Sequence, residues 1–400
     1  MPRLRMPTAG TPYIFPEIAS TFQGFWKDQQ LIADFEEQLA TYFRINHVRL
    51  VNSGTTANFI LYRLFKQIRP RAEQDEVILP AYTAPSLLLP IEAAGLKPVL
   101  VDIDVETFNL DVKKIANKLS GRTLAVMPIH MFGLPNEVAP VLDLVKGRGI
   151  FVLEDSASAL GSKLDNAFVG TIAPFGFFSL NRGKNISTLA GGIITWQEDA
   201  HTDTIDGLCA ELPALSQRSQ LLMTLKIAAL SLAVKPLYYT LMTPIISKFK
   251  YTTLHTHFDS FRYTTAQAAM GQRLWRRADA LTKQRVNNGT ALHEIFKDKP
   301  GIRLPRAIPV SEVAFNQFPL VIDDLSRRQA LEQMLLAKGL ETTRLYEHPL
   351  HHIFPYLNES GPDLYPHASY LAEHLLLIPP HAQIREKHMQ LIKDSVDAIF

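Results

Sequence analysis

The sequence has one cysteine, little net charge and no long hydrophobic run. The single Cys209 cannot form an internal disulfide, which is typical of proteins from a reducing compartment. A formal net charge of +2 creates no global field that recruits nucleic acid, so we expect no such partner. No apolar run reaches the ~20 residues of a membrane-spanning helix, and no apolar signal core follows the N-terminus. These absences predict a cytoplasmic protein.

The length of 400 residues and the hydrophobic content of 46% predict a globular protein with two domains. From about residue 50 to 197, short apolar strands alternate with helical patterns, which predicts a mostly parallel sheet covered by helices on both faces. The predicted strands are Val77–Leu79, Val99–Val101, Leu124–Ile129, Ile150–Leu153, Phe175–Ser179 and Ile193–Trp196. The predicted helices are Ala57–Gln67, Pro85–Ala94, Val112–Leu119 and Glu137–Lys146.

The pattern changes after about residue 263. A long helix is predicted over Thr264–Ala291, followed by a mixed region of strands and helices. We therefore divide the chain into a large α/β domain, 1–262, and a smaller α+β domain, 263–400. Ligands of parallel sheets bind outside the carboxyl ends of the strands. The polar residues predicted at those ends are Thr83, His130, Asp155 and Ser179.

An acid and a lysine occupy informative places in this pattern. Asp155 ends the apolar strand at 150–153, and Lys184 follows the strand at 175–179, shortly before Gly191-Gly192. Pyridoxal phosphate (PLP) enzymes use a lysine to hold the cofactor as a Schiff base and an acid to hold its pyridinium nitrogen. Each residue alone is more often a solvated loop lysine or an ordinary acidic strand end. The occurrence of both residues in this order is what indicates a PLP site.

A third feature is the segment Asn52-Ser53-Gly54-Thr55-Thr56, which precedes a predicted helix. Backbone amides at a helix N-terminus, together with small hydroxyl side chains, bind anions such as a cofactor phosphate. The same residues are also common helix caps without a ligand. Ser179 could add a hydrogen bond to a phosphate, or it is simply a turn serine.

These residues lie in longer strings that resemble the DegT/DnrJ/EryC1/StrS aminotransferases, a branch of the fold-type I PLP enzymes. The resemblance runs nearly end to end, except over residues 198–258. The matching stretches are Ser53–Ala57, Asp75–Thr83, Pro98–Asp104, Pro128–Gly133, Glu154–Gly161, the Lys184 segment, Gln267–Ala269 and Pro349–His351.

The resemblance implies a fold with a mostly parallel, seven-stranded central sheet and a homodimer whose active sites are built from both subunits. It implies that Lys184 is the Schiff-base lysine and Asp155 the pyridinium partner. Gly54, Thr55 and Ser179 match positions that bind the PLP phosphate. A region near the substrate in some members is matched by Arg344 and His351.

Three cofactor-contact positions of the family carry smaller side chains here. Ser158 replaces a glutamine that helps to hold the ring, and Ala84 replaces a stacking aromatic residue. Ser260 replaces an asparagine that reaches the partner subunit's site, whereas Arg262 keeps the family's arginine. We expect weaker cofactor binding than is usual, unless other side chains fill the space.

The resemblance implies an aminotransferase that converts a nucleotide-linked keto-deoxysugar to an aminosugar, with glutamate as the amino donor. Dehydratase members of the family replace the lysine with histidine, so the lysine favours transamination. The alternatives are a dehydratase-like PLP reaction and a non-catalytic, membrane-associated or regulatory homologue. His348 and the pair His351-His352 have no convincing partner set in the sequence, so we predict no metal site.

Residues 198–258 form an atypical insert. Residues 212–258 contain no Asp or Glu but contain cations, and the stretch from Leu221 to Ser247 is largely apolar. One interpretation, which we favour, is a helical hairpin packed on the core or across a dimer interface. The other is a peripheral membrane contact through residues 218–250, made by a basic amphipathic surface. Its cations are Arg218, Lys226, Lys235, Lys248 and Lys250.

Overall fold

The computed structural model describes residues 4–69, 71, 73–246, 254, 256–358 and 362–400. The α-helices are α1 (Phe15–Gly24), α2 (Gln30–Phe43), α3 (Gly54–Ile68), α4 (Leu88–Ala93), α5 (Val112–Ala116), α6 (Val138–Val145), α7 (Thr202–Ala210), α8 (Gln217–Ala233), α9 (Pro236–Ile246), α10 (Thr265–Trp275), α11 (Ala278–Phe296), α12 (Leu325–Ala337), α13 (Leu350–Ile353), α14 (Pro366–His374) and α15 (Glu386–Asp397). The strands are β1 (His47–Val51), β2 (Glu76–Pro80), β3 (Lys97–Val101), β4 (Thr123–Val126), β5 (Phe151–Asp155), β6 (Lys163–Leu164), β7 (Ala167–Phe168), β8 (Phe175–Ser179), β9 (Gly192–Trp196), β10 (Ile302–Arg303), β11 (Ser311–Glu312), β12 (Phe318–Ile322) and β13 (Leu375–Ile378).

A seven-stranded sheet in the order β1-β9-β8-β5-β4-β2-β3 forms the centre of the molecule. The pairs from β8 to β3 are parallel, and β9 runs antiparallel to both of its neighbours. Every residue of β4, β8 and β9 is buried. Strands covered on both faces read as continuous apolar runs, which is why the sequence revealed them. The predicted fold class is confirmed; only the edge strand β1 was missed.

The long helix predicted over Thr264–Ala291 is wrong, because two helices, α10 and α11, occupy this stretch. The chain leaves helical geometry at Arg277, whose φ and ψ are −111° and 8°. Its guanidinium donates to the carboxylate of Glu17, which is buried in α1, with Nε 2.8 Å from Oε1. The Arg277 side chain pairs with this buried carboxylate at the break between the two helices, and no local pattern reveals that partner.

A second, three-stranded sheet in the order β10-β12-β13 lies in the C-terminal part of the chain. Its apolar residues pack with α11, α12 and α15 in a separate core cluster that includes Phe296, Phe318 and Ile392. The predicted α+β character of this region matches these elements. The domain division at residues 262 and 263 stays a prediction.

The insert forms α7, α8 and α9, and α8 and α9 are bent by 96° relative to each other, so they do not form the predicted antiparallel hairpin. Thr224, Ile227 and Ser231 are the buried residues of α8, whereas Leu222 is 67% exposed. Within the described chain, the leucine-rich side of α8 is therefore not packed on the core. Lys248 and Lys250 lie outside the described residues.

We searched the described residues for helices that could span a membrane. No single helix has the length and apolar character to cross a bilayer. The segment Gln217–Ala233 passes that test only together with Pro236–Thr243, and the two are bent by 96° relative to each other.

A buried histidine makes the stability of this fold depend on pH. His381 is 1% exposed, with Nε2 2.9 Å from the carbonyl oxygen of Pro7, and burial lowers its pKa from 6.5 to about 4. The unfolded chain therefore takes up a proton between pH 6.5 and 4 while the folded chain does not. This group alone should remove about 3 kcal/mol of stability as the pH falls through that window.

We expect His381→Gln to flatten this pH dependence, measured as the urea-unfolding free energy at pH 7, 5.5 and 4. The exposed His348, replaced by glutamine, is the matched control and should leave the slope unchanged. An unchanged slope in His381→Gln would show that His381 binds its proton equally well in the folded and in the unfolded chain.

Candidate active site

The start of α3 forms a small polar cradle. Ser53 is its N-cap, and the Ser53 hydroxyl accepts a hydrogen bond from the backbone N–H of Thr56 at 3.0 Å. A side chain at Gly54 would come within 3.1 Å of the Cβ of Ser179, so Ser179 at the end of β8 lies against the helix start. The next N–H groups of the helix have no intrahelical partners. The predicted anion-site residues Gly54, Thr55 and Ser179 are thus brought together.

The cradle depends on a close backbone approach by β9. A Cβ on Gly192 would lie 2.2 Å from the carbonyl oxygen of Ser53, which no larger residue tolerates. Gly191 has a φ of 144° and bridges to Ser53. The Gly-Gly pair noted in the sequence therefore brings the end of the Lys184 loop against the start of α3.

Lys184 lies on the loop between β8 and β9 and lines a cavity of about 580 Å³. Its amine donates to the Ser158 hydroxyl at 3.0 Å, and Ser158 lines the same cavity. Burial lowers the pKa of the Lys184 amine, while the Asp155 carboxylate opposes this shift. A partly buried amine with a lowered pKa has a larger neutral, nucleophilic fraction at neutral pH.

Asp155 ends β5 and is 4% exposed. Burial raises the pKa of its carboxyl group. Three features act in the opposite direction, namely the backbone N–H of Ala157 at 2.9 Å and the electrostatic interactions with Lys184 and His130. A carboxylate that is buried away from water is stabilised strongly by a cationic partner. A protonated ring nitrogen would be such a partner.

His130, another residue predicted at a strand end, is hydrogen bonded at both ring nitrogens. Its Nδ1 accepts from the backbone N–H of Asn136 at 2.8 Å, so Nε2 carries the proton and donates to Glu154 at 3.0 Å. Glu154 also accepts from three backbone N–H groups. This network anchors the loop next to Asp155 and leaves His130 without a free nitrogen.

Two asparagines that sequence reasoning missed fix the Lys184 loop. The side-chain amide of Asn316 donates to the carbonyl of Gly183 at 2.8 Å and to Asn185 Oδ1 at 3.1 Å. Asn185 in turn donates to the carbonyls of Leu160 and Ala314. Asn316 comes from the C-terminal part of the chain, so no local sequence signal indicates this contact.

Two tyrosines were also missed. Tyr346 lines the cavity with Lys184, and burial together with the Asp155 charge raises the pKa of its hydroxyl. Tyr82 is buried, donates to the backbone carbonyl of Tyr346 at 3.2 Å and packs edge-on against its ring. The aromatic ring of Tyr346 thus reaches the cavity, although Tyr346 lies far in sequence from Ala84, the position at which the family has an aromatic residue.

The two predicted substrate residues lie in different environments. Arg344 lines the cavity and forms an ion pair with Glu347. His351 is 2% exposed, and its Nε2 lies 3.0 Å from Asp363 Oδ1. His351 is not among the described residues that line the Lys184 cavity, whereas His348 is. The substrate role of both residues stays a prediction.

His351, His352 and Asp363 are close enough for metal binding, since one potential ligand atom from each lies within 4.8 Å of the others. The sequence did not reveal Asp363 as a partner. Both carboxylate oxygens of Asp363 are already hydrogen bonded, one to His351 and the other to the hydroxyl of Ser369 at 2.5 Å. We therefore infer no metal centre from this group.

Ser260 and Arg262 both contact their own chain. The Ser260 hydroxyl lies 3.3 Å from the Thr56 hydroxyl, beside the start of α3. The guanidinium of Arg262 donates to the carbonyl of Leu212 at 2.9 Å and to that of Ala210 at 2.5 Å. Their predicted service to a partner subunit's site stays a prediction.

Sequence comparison finds relatives with two different activities. The chain is 32% identical over 173 residues to the GDP-4-keto-6-deoxy-D-mannose 3-dehydratase of Yersinia pseudotuberculosis, covering 42% of this chain and 44% of that protein. It is 35% identical over 170 residues to the GDP-perosamine synthase of Caulobacter vibrioides, covering 42% and 45%. Each match thus spans less than half of the relative's length.

The fold is shared over almost the whole chain. The structure of DesV from S. venezuelae, in complex with a ketimine intermediate, superposes with a TM-score of 0.78 at 21% identity and covers 99% of this chain and 98% of DesV. The family model described as the DegT/DnrJ/EryC1/StrS aminotransferase family matches residues 16–397. Since this match spans nearly the whole sequence and includes the cradle, Asp155 and Lys184, the chain belongs to the DegT/DnrJ/EryC1/StrS aminotransferase family.

Proposed function

We propose that this chain is a PLP-dependent aminotransferase that replaces the keto group of a nucleotide-linked deoxysugar with an amine. Glutamate is the proposed amino donor. The observation that carries the proposal is the Lys184 amine, which lines a cavity, contacts Ser158 and shares an electrostatic interaction with Asp155. Family membership supports the same enzyme class.

The residues fit the cofactor. The helix start at Gly54 and Thr55, together with the Ser179 hydroxyl, is suited to bind a phosphate dianion. Asp155 is placed to hold a protonated ring nitrogen, and Lys184 to bind the aldehyde carbon covalently. When bound, PLP supplies an electron sink for the carbon that loses its proton.

Lys184 is the proposed proton carrier. With PLP and the amino donor bound, the Lys184 amine would take up the proton that the donor's α-carbon loses and would release it again to complete the transfer. The lowered pKa increases the neutral fraction of this amine relative to an exposed lysine. The Ser158 hydroxyl holds the amine in place, and the Asn316 contacts keep the loop rigid.

Dehydration is the second candidate function, because a 3-dehydratase is among the relatives. The dehydratase branch of the family carries histidine in place of the lysine. Since this chain has Lys184 at that position, we favour transamination. A mixture of PLP, glutamate and a ketosugar separates the two, because only transamination places the donor's nitrogen on the sugar.

We also propose a homodimer, in which the segment that holds Ser260 and Arg262 serves the partner subunit's site. In this chain Ser260 lies beside the anion cradle, so a second copy could meet the cradle at this point. Analytical ultracentrifugation tests the assembly. A protein that is monomeric at micromolar concentration and fully active would contradict it.

The decisive experiment for the function is a PLP titration followed by substrate tests. We expect a yellow protein whose absorbance band disappears on borohydride reduction, and amination of a member of a nucleotide-ketosugar panel with glutamate. A protein that remains colourless at saturating PLP would contradict the proposal and favour a non-catalytic homologue.

Ala84 offers a test of cofactor affinity. It is partly buried, precedes the cavity-lining Pro85, and has φ and ψ of −63° and 122°, which any residue adopts. We expect Ala84→Phe to tighten PLP binding by about two- to tenfold, because aromatic stacking adds about 0.5–1.5 kcal/mol. Spectrophotometric titration measures this change. Ser86→Phe is the control, and equal affinity in Ala84→Phe and wild type would show that another group already fills the space.

A further inference from the structure

The insert exposes an apolar surface on both of its longer helices, which we call the leucine face. On α8, the exposed leucines recur at helical spacing and share one side of the helix. On α9, four large apolar residues do the same, and Leu241 is 67% exposed. The face consists of Leu221, Leu222, Leu225, Leu232, Leu237, Tyr238, Leu241 and Met242.

The opposite side of α8, which is polar in sequence, is the side that packs on the protein. The Thr224 hydroxyl donates to the carbonyl of Gln220 at 2.8 Å, and the Ser231 hydroxyl to that of Ile227 at 2.7 Å. These buried hydroxyls are therefore satisfied within the helix, and their small size permits close packing against α1 and α10. The polar side of α8 is occupied by its contacts with α1 and α10, so the leucines on the other side of this helix point outward.

The second helix is also fastened in place. The hydroxyl of Tyr239 donates to Glu341 at 2.7 Å, and the backbone N–H of Arg5 donates to the Thr240 hydroxyl at 2.8 Å. Thr8 and Ala9, a few residues after Arg5, line the Lys184 cavity. The leucine face is thus a fixed surface that is connected to the wall of the candidate active site.

The charged residues of the stretch that forms the leucine face have one sign. Residues 212–258 contain no Asp or Glu. On α8, Arg218 and Lys226 are exposed, and Lys235 follows at the junction with α9. An apolar surface on helices that carry cations and no acids is complementary to the anionic headgroups and acyl boundary of a lipid bilayer.

We propose that the leucine face docks this protein on an anionic lipid surface, with α8 and α9 lying along the bilayer rather than crossing it. The 96° bend between the helices, and the lack of a single spanning helix among the described residues, fit this peripheral placement. A second copy of the chain is a poorer occupant. In a twofold interface the same patch meets itself, so its cations would face one another with no acid from residues 212–258 to neutralise them.

The proposal does not depend on the proposed function, and vesicle flotation of the full-length, PLP-loaded protein tests it. The probes are vesicles of phosphatidylcholine with phosphatidylglycerol, and vesicles of phosphatidylcholine alone, at low and at high salt. We expect binding to the anionic vesicles that weakens with salt. Leu222→Ser with Leu241→Ser should lower the partition constant by at least about tenfold, since two large apolar side chains leave the lipid.

The matched control replaces two exposed leucines elsewhere, Leu336 and Leu364, with serine and should bind vesicles as the wild type does. Lys226→Glu should lower anionic binding by about fivefold or more. Failure of the wild type to float with anionic vesicles at low salt overturns the proposal. If, in addition, the Leu222 and Leu241 variant converts a dimer to monomers in sedimentation, the leucine face is an interface between copies.

Discussion

Lys184→Ala is expected to reduce turnover by about 10⁴-fold, because the change removes both the covalent attachment point and the proton carrier. The measurement is amination of the ketosugar found in the panel, with glutamate as donor. The variant should also lose the label that borohydride fixes on the wild type, detected by intact-protein mass spectrometry. This second result reports on Lys184 itself and not on general damage to the fold.

The control for Lys184→Ala is Lys118→Ala, since Lys118 is exposed and distant in sequence from the site residues. It should retain wild-type turnover and borohydride labelling. Normal turnover in Lys184→Ala would end the mechanism proposed above. Loss of both activity and labelling in the Lys118 variant would show that the assay reports protein quality instead of chemistry.

Asp155→Asn is expected to lower kcat by about 100- to 1,000-fold while leaving the protein folded. The amide cannot neutralise a protonated ring nitrogen, so a stabilising charge is lost where the reaction needs it. The free energy of unfolding of the cofactor-free protein, in contrast, should not fall. Burial raises the pKa of Asp155, so the ionised carboxylate destabilises the cofactor-free fold above that pKa, and this cost disappears as the pH falls through it.

The cofactor-free Asp155→Asn variant should therefore be at least as stable as the wild type at pH 7, measured by urea unfolding. Asp143→Asn, at an exposed position of α6, is the control and should change neither kcat nor stability. A large loss of stability in the Asp155 variant would mean that its effect on kcat is structural. Unchanged kcat would remove Asp155 from the proposed mechanism.

We thus expect Asp155→Asn to lower kcat strongly without lowering the free energy of unfolding, and this combination is typical of a functional site. Buried ionisable groups destabilise a fold unless they are paired, and the protein keeps them where chemistry requires them. Asp155 and Lys184 both have pKa values shifted by burial toward the neutral form. The charge of each residue opposes the pKa shift that burial causes in the other. Removal of one residue should therefore change the pKa of the second.

Much of the site was predictable because its residues are neighbours of regular elements. Asp155 and Ser179 end buried strands, and Gly54 begins a helix, so the parallel sheet alone brings them to one edge. The Lys184–Ser158 contact, the Asn316 clamp and the approach of Tyr346 come from loops and from the C-terminal part of the chain. Their partners are set by long-range packing, which leaves no local pattern.

The same distinction applies to the helix predicted over Thr264–Ala291. Helical periodicity continues across Arg277, whose side chain pairs at the break with the buried Glu17 of a distant segment. The substrate role of His351 stays a prediction; its ring pairs with Asp363, and it is not among the described residues that line the cavity.

By itself, the sequence determined six of the seven strands of the central sheet, the family, and the site residues Gly54, Asp155, Ser179 and Lys184. Apolar runs buried on both faces and residues tied to strand ends are encoded locally. Only the tertiary structure decided which side of α8 is buried. Small hydroxyl residues pack closely and satisfy themselves within the helix, so the polar stripe faces inward and the leucines remain at the surface.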